Sequence, residues 1–330
     1  MSNSMAELAP FGIAPQFTAR VWGFRDLRPW YDRVAAGEPI GEVWLTGDDC
    51  LVATGPNAGK RLAAVFAEQH DALLGPDAPS ADSPLLIKTI FAREKLSVQV
   101  HPDDRMAQKY GERRGKTECW YALAAGPDAT VAVGVKPGTT LTQIEEEIHD
   151  GTLEASLQAL PVAEGEMIFV DAGTIHAIWP GSILLETQQN CDLTYRMFDY
   201  GRGRELHIAK ALEATKLATR AGKIVPCVLG DRTVLIDVEY FRVERIAVEG
   251  SRTSESLRGA DKPGLAYLFA AAGAGRLRYA GIVGIGFAPV DLPPRGIMVV
   301  PATSPEFVLD DVSAAGETLA LIRITPNWPE

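Results

Sequence analysis

The segment LSVQVHPDD, residues 96–104, alternates Leu96, Val98 and Val100 with Ser97, Gln99 and His101. A period of two predicts a strand with one apolar face and one polar face made of Ser, Gln and His. Similar short runs recur between Gly and Pro residues: 42–47, 118–125, 129–135, 165–173, 182–189, 233–250, 264–272 and 295–302. Their density predicts a mainly β fold of the sandwich or barrel kind. Helical spacing is rarer. It is found over 62–75, ending on Gly75, and over the charged segment 103–115. It recurs over 141–160, where Gly151 divides two short helices, and over the amphipathic stretch 204–218. A domain boundary is expected near TRAGKIVP, giving residues 1–219 and 220–330. One faint echo links the two parts: GEMIFVDAGTIHAI resembles RGIMVVPATSPEFVL, and aligning Ala172 with Ala302 sets His176 against Glu306. The echo implies a duplicated β unit whose second copy has lost a histidine.

Composition narrows the functional classes. The 330 residues are 46% hydrophobic and 23% charged, which is ordinary for a globular protein. Forty-three acidic against 32 basic residues give a net charge of −11, which disfavours nucleic acid and anionic membrane surfaces as partners. A small anionic substrate remains compatible, because a few local Lys and Arg hold one phosphate. Cys50, Cys119, Cys191 and Cys227 are far apart and form no CxxC pair, so reduced thiols are expected. Residues 1–20 lack a secretory leader pattern, and the most apolar stretch, from Leu265, is too short to span a bilayer. A cytoplasmic protein is the expectation.

Five histidines are present. His70, His149 and His207 lie in helical or polar segments and read as structural. His101 and His176 each end an apolar β run beside turn residues, a rigid yet reachable position. In GKTECWYAL, Lys116, Glu118 and Trp120 share one strand face. A charged pair beside Trp is costly to bury without partners, so that face is open to solvent or Glu118 meets a cation. Two His, Glu118 and Gln99 around Zn²⁺ would explain the polar face of LSVQVH; the alternative is a plain polar sheet face. LLETQQNCDLTYRMFDYGRGRELH, residues 184–207, gathers Glu186, Asp192, Arg196, Asp199 and Arg202 around aromatic residues. Arg196 there is either a salt-bridge partner or an electrophile that stabilises an oxyanion.

PIGEVWL, LLIKTIFAREKLSVQVHPDD, GKTECWYAL, DAGTIHAI and LLETQQNCDLTYRMFDYGR stand in the order and approximate spacing of the type I mannose-6-phosphate isomerases. The chain resembles the short bacterial form of that family, well over 39–212 and loosely elsewhere. QVHPDD, GKTE, AGTIHA and QQNxDxTYR are specific only in combination. Asp171 replaces a proline usual in the second cupin motif, and Leu193 replaces a usual Thr or Ser. Neither departure removes a proposed ligand.

The resemblance implies a cupin fold of two jelly-roll barrels, the second degenerate. It also implies a zinc enzyme that interconverts mannose 6-phosphate and fructose 6-phosphate through an enediol. Gln99, His101, Glu118 and His176 would be the metal ligands. Lys116 and Arg196 would face the substrate, Ser97 would lie beside them, and Arg202 falls where the family tends to keep a basic residue. Glu186 and Asp192 are the candidate bases, with the role of an arginine partner as the alternative for each. A monomer or homodimer with a small sugar phosphate as its partner is expected. The competing readings are another metal-dependent cupin enzyme, and a sugar-phosphate-binding protein on an inactive scaffold.

Overall fold

A Lys in the middle of a strand with no other charge is unusual when the strand is buried, and LLIKTIF, residues 85–91, is buried at all seven positions. It lies inside a sheet in a computed structural model that describes residues 7–76, 78–259, 261–279 and 288–328. Residues 1–6, part of the stretch read as leader-free, lie outside the described residues.

The early strands are β1 (Phe11–Gly12), β2 (Gln16–Phe24), β3 (Ile40–Thr46), β4 (Leu85–Phe91), β5 (Val98–Val100), β6 (Glu118–Ala125), β7 (Thr130–Val135) and β8 (Leu157–Pro161). Then come β9 (Met167–Val170), β10 (His176–Ile178), β11 (Ser182–Gln189), β12 (Tyr195–Phe198), β13 (Gly222–Ile224), β14 (Cys227–Leu229), β15 (Arg232–Asp237) and β16 (Phe241–Val248). The last are β17 (Ser251–Thr253), β18 (Ala266–Ala272), β19 (Gly275–Tyr279), β20 (Val290–Leu292), β21 (Ile297–Val300), β22 (Phe307–Asp311) and β23 (Leu319–Pro326). Helices α1 (Leu62–Leu74), α2 (Asp104–Lys109), α3 (Leu141–Asp150), α4 (Ile208–Ala214) and α5 (Ser254–Arg258) complete the elements used below. The mainly β character expected from the sequence is therefore present.

The chain divides into two compact units, 17–43 with 85–224, and 1–16 with 44–84 and 225–330. The sequence reading cut the chain at 219/220 and kept the N-terminal segments in the first part. The difference has a physical cause. β1 pairs with β21, and the end of α1 accepts backbone hydrogen bonds from Ala302 and Thr303, so these segments complete the later unit.

In the unit containing 85–224, a seven-stranded sheet runs β13-β9-β6-β11-β4-β3-β2 and a five-stranded one β12-β5-β10-β7-β8. Trp22, Trp120, Ile168 and Leu184 of the large sheet pack against Val131, Val133 and Ile178 of the small one. The outer face of the small sheet buries Val98, Val100, Tyr195 and Met197 under Ile144 and Ile148 of α3 and Ala211 of α4. The apolar side of β5 is therefore sealed by helices, and the pleat turns Ser97, Gln99 and His101 the other way. α3 begins at Thr140, whose hydroxyl accepts from Gln143 N, and stops at Gly151 in the left-handed region. The second half of 141–160 is not a helix. It forms one 3-10 turn and then β8, which pairs with β7. The helix expected over 204–218 shortens to α4, because Arg204 is drawn to Asp199 and His207 N bonds to Arg196 O.

The other unit has a seven-stranded sheet, β1-β21-β18-β23-β16-β15-β14, and a four-stranded sheet, β17-β22-β19-β20. Its core joins Ile246, Leu268, Met298 and Leu321 to Leu277, Phe307 and Leu309. All four cysteines are free thiols: Cys50 and Cys119 buried, Cys191 half-buried and Cys227 exposed. Among the described residues no helix is long and apolar enough to cross a membrane.

Candidate metal and substrate site

Three segments far apart in sequence bring His101, Glu118 and His176 together, with their ligand atoms all within 4.8 Å of one another. His176 opens β10 and lies opposite Gln99 of β5, and His101 follows that same strand. Glu118 opens β6, between Val170 of β9 and Gln188 of β11. Backbone bonds from Gly173 N to His101 O and from Lys116 N to Pro102 O, both within 3.0 Å, tie the three segments to each other. Gly115 makes the last approach possible. A Cβ there would lie 2.5 Å from the Asp103 carbonyl carbon, closer than real atoms come.

The donor atoms point inward and are prepared for a cation. His101 Nδ1 lies 2.9 Å from Leu193 O, and His176 Nδ1 lies 2.9 Å from Thr174 O. A carbonyl only accepts, so both Nδ1 atoms carry the proton and each Nε2 keeps its lone pair. Both Nε2 atoms are buried with no hydrogen-bond partner. They lie 3.6 Å and 3.4 Å from the two oxygens of Glu118. Burial, and then Lys116, hold His101 well below the usual histidine range, and burial takes His176 down to about 4. Both rings are neutral, as ligands must be. Burial and the neighbouring Glu186 push the Glu118 carboxyl up to about 8, marking a carboxylate short of positive charge. Orphaned imidazole nitrogens around a buried carboxylate fit a divalent N/O-ligated ion such as zinc.

Beside this cluster lies a cavity of about 420 Å³. Gln99, Ser97, Lys116, Glu186, Asp192 and Arg196 line it. Lys116 Nζ is 3.2 Å from Glu118. Glu186 receives Lys88 Nζ at 2.9 Å and Trp120 Nε1 at 3.3 Å. Burial favours its neutral acid, but Lys88 and Lys116 prevail and hold Glu186 down at about 2. Lys88 also lies 3.7 Å from Glu42, which binds Arg20 at 2.8 Å. Arg196 is half-buried on β12 opposite Gln99, and its Nη1 donates to Glu205 O at 2.8 Å. No carboxylate among the described residues lies within salt-bridge distance of it, Asp199 and Glu205 act on its charge from further off, and it lines the cavity.

Arg202 does not line this cavity. It is engaged by Glu94 at 3.3 Å and Asp199 at 3.6 Å. Arg204, bound through Nε to Asp199 at 2.8 Å, reaches the cavity wall instead. Lys88, Glu42, Arg20 and Arg204 went unnoticed in the sequence. Only Lys88 carried a signal there, as the lone charge in an apolar run.

Comparison with known proteins gives a consistent result. The catalytic-domain model of phosphomannose isomerase type I matches residues 14–134. The mannose-6-phosphate isomerase of Streptococcus mutans is 33% identical over 261 residues, 75% of this chain and 81% of that one. The mannose-6-phosphate isomerase ManA of Bacillus subtilis is 34% identical over 260 residues, 73% of this chain and 80% of its own. The crystal structure of a mannose 6-phosphate isomerase from Bacillus subtilis matches with a TM-score of 0.83 at 28% identity, covering 96% of this chain and all of that one.

Proposed function

The chain belongs to the type I phosphomannose isomerase family, and from that premise we propose that it interconverts mannose 6-phosphate and fructose 6-phosphate with zinc held by Gln99, His101, Glu118 and His176. The observation that carries this reading is the pair of buried, partnerless Nε2 atoms around Glu118, beside a cavity rich in cations. A bound zinc ion supplies Lewis acidity toward the substrate oxygens. The remaining work belongs to side chains.

Aldose–ketose isomerisation moves a proton between C2 and C1, and negative charge grows on the carbonyl oxygen as the carbon-bound proton leaves. Arg196, with no carboxylate among the described residues within salt-bridge distance, stabilises that charge. Lys116, 3.2 Å from Glu118, holds a sugar hydroxyl. Of the two carboxylates, Glu186 is a weak base, since Lys88 and the Trp120 indole occupy its oxygens. Asp192, exposed at the cavity wall, is the better proton acceptor and takes the C2 proton. Ser97 orients a hydroxyl. Arg204 binds the phosphate, because its Nη1 is unused by Asp199.

A coupled assay for fructose 6-phosphate on zinc-loaded protein tests the proposal. Turnover of mannose 6-phosphate that disappears with chelator and returns with zinc is expected. Turnover indifferent to chelator, or absent from fully loaded protein, overturns it.

A further inference from the structure

The large sheets of the two units repeat each other strand for strand, while β12 of the five-stranded sheet has no counterpart in the four-stranded one. β13-β9-β6-β11-β4-β3-β2 in one has the order of β1-β21-β18-β23-β16-β15-β14 in the other. Register fixes the equivalence residue by residue. Glu118 lies opposite Val170, and Ala266 lies opposite Val300. Glu186 sits between Trp120 and Lys88, and Arg323 sits between Leu268 and Glu244. On the small sheets His176 faces Val133, and Phe307 faces Tyr279. So Phe307, rather than the Glu306 suggested by the sequence echo, occupies the place of His176. The connection is one residue longer in the second copy.

The places of Glu118 and His176 are taken by Ala266 and Phe307, neither of which can bind a metal. The buried ion pair is kept, but with its charges exchanged: Arg323 stands for Glu186 and Glu244 for Lys88. A cavity of about 260 Å³ also remains, with Arg323 in its wall. Three guanidiniums converge on the one Glu244 carboxylate: Arg242 at 2.9 Å, Arg232 at 3.6 Å and Arg323 in hydrogen-bond contact. Arg323 is 4% exposed. Both its acidic partners, Glu244 and Asp261 at 2.8 Å, are met through Nη1. Nε and Nη2 take no part in those contacts. Leu257, Leu268, Val300 and Phe307 supply an apolar wall. Arg258, Glu255 and Glu306 also line the cavity, and Arg323 is its buried cation.

We propose that this second cavity binds a small organic anion, a carboxylate or phosphate monoester with a compact apolar body, anchored by the free edge of the Arg323 guanidinium. A planar fork of donors against an apolar wall recognises such a group bidentately. The site is separate from the isomerase cavity and needs no metal.

The test is titration calorimetry on full-length zinc-loaded protein with benzoate, 4-methylpentanoate and phenyl phosphate. Ala266→Met and Ala302→Leu, which add bulk at two lining positions and keep Arg323, are measured in parallel. Saturable binding of at least one probe with Kd of about 1 mM or tighter is expected in the wild type, weakened at least about tenfold in a filled variant that retains isomerase turnover. Binding of a carboxylate but not of phenyl phosphate, or the reverse, assigns the head group. No saturable binding of any probe overturns the proposal. So does binding that survives in both filled variants, since it would then belong elsewhere. If one filled variant fails to fold, the other decides. Isomerase activity is read separately, so failure of this site and failure of the catalytic reading are distinguishable.

Discussion

Lys88→Met probes the buried charges behind the active site. Lys88 is 3% exposed and lies 2.9 Å from Glu186 and 3.7 Å from Glu42. At an effective dielectric of about 20, the closer contact alone is worth roughly 6 kcal/mol in gross Coulomb energy, most of which offsets desolvation. Removing the cation leaves two buried carboxylates without it. Breaking a buried pair in this way costs about 3–5 kcal/mol. The carboxyl of Glu186 adds a pH signature. Its folded value of about 2 lies below the ordinary 4.5, because Lys88 and Lys116 outweigh burial. A depressed folded value contributes stability that is complete above the unfolded value and is lost as pH falls from about 4.5 toward 2. A bound divalent cation acts in the same direction. Urea unfolding of wild type and Lys88→Met at pH 7 should therefore differ by about 3–5 kcal/mol. The gap should narrow on acidification through that window. Lys88→Met/Glu186→Gln should recover part of the loss. A single variant within about 1 kcal/mol of wild type at pH 7, or a gap that ignores pH, would refute the reasoning.

Other outcomes follow from the site. His101→Ala and His176→Ala should each lose zinc and turnover together, measured by metal analysis beside the coupled assay; full zinc content in either would remove that residue from the ligand set. Arg196→Ala should keep its zinc and its fold, because no anion is left unpaired, and should lower kcat about 10²–10³-fold. Gly115→Ala forces a Cβ against the backbone of Asp103, so a loss of about 2 kcal/mol or more is expected by urea unfolding, together with impaired turnover through the displaced Lys116.

The strands were legible because alternation is local, and the residues His101, Glu118 and His176 that the structure gathers each stood in a local motif. Alternation in 96–101 made Ser97, Gln99 and His101 one face, and the structure turns that face into the cavity. The motif order supplied Glu118 and His176. What was not legible is long-range. That β1 closes the sheet beside β21, some 285 residues later, has no local trace, so residues 1–16 and 44–84 were assigned to the wrong neighbour. The same is true of Arg202 and Arg204. Both are Arg in one loop, and only the position of Asp199 decides which of them reaches the cavity. Residues 157–160 were read as helix from their local spacing, which pairing with β7 overrides.

The repeat of one sheet order in both units raises the question of why, among the described residues, metal donors gather in the first alone. The scaffold itself sets no sign. Between the strands that hold Glu186 and Lys88, and again between those that hold Arg323 and Glu244, register demands that a buried charge be answered by an opposite one, in either order. The surroundings then choose the ligand. In the first unit a single Lys88 lies between two carboxylates, with Glu118 and two neutral imidazoles in reach, so a cation is wanted. In the second, three guanidiniums meet at Glu244, with Asp261 also on Arg323, and the place of His176 is held by Phe307. The consequence is a stoichiometry: zinc-loaded protein should hold a single equivalent of zinc per chain, measured by elemental analysis after removal of loosely bound metal. Ala266→Glu, which restores the carboxylate of the first unit to the second, should not raise that number, because one oxygen ligand without the histidines cannot hold the ion. A second tightly held equivalent in the wild type would mean that the register equivalence drawn between the two units does not govern their chemistry.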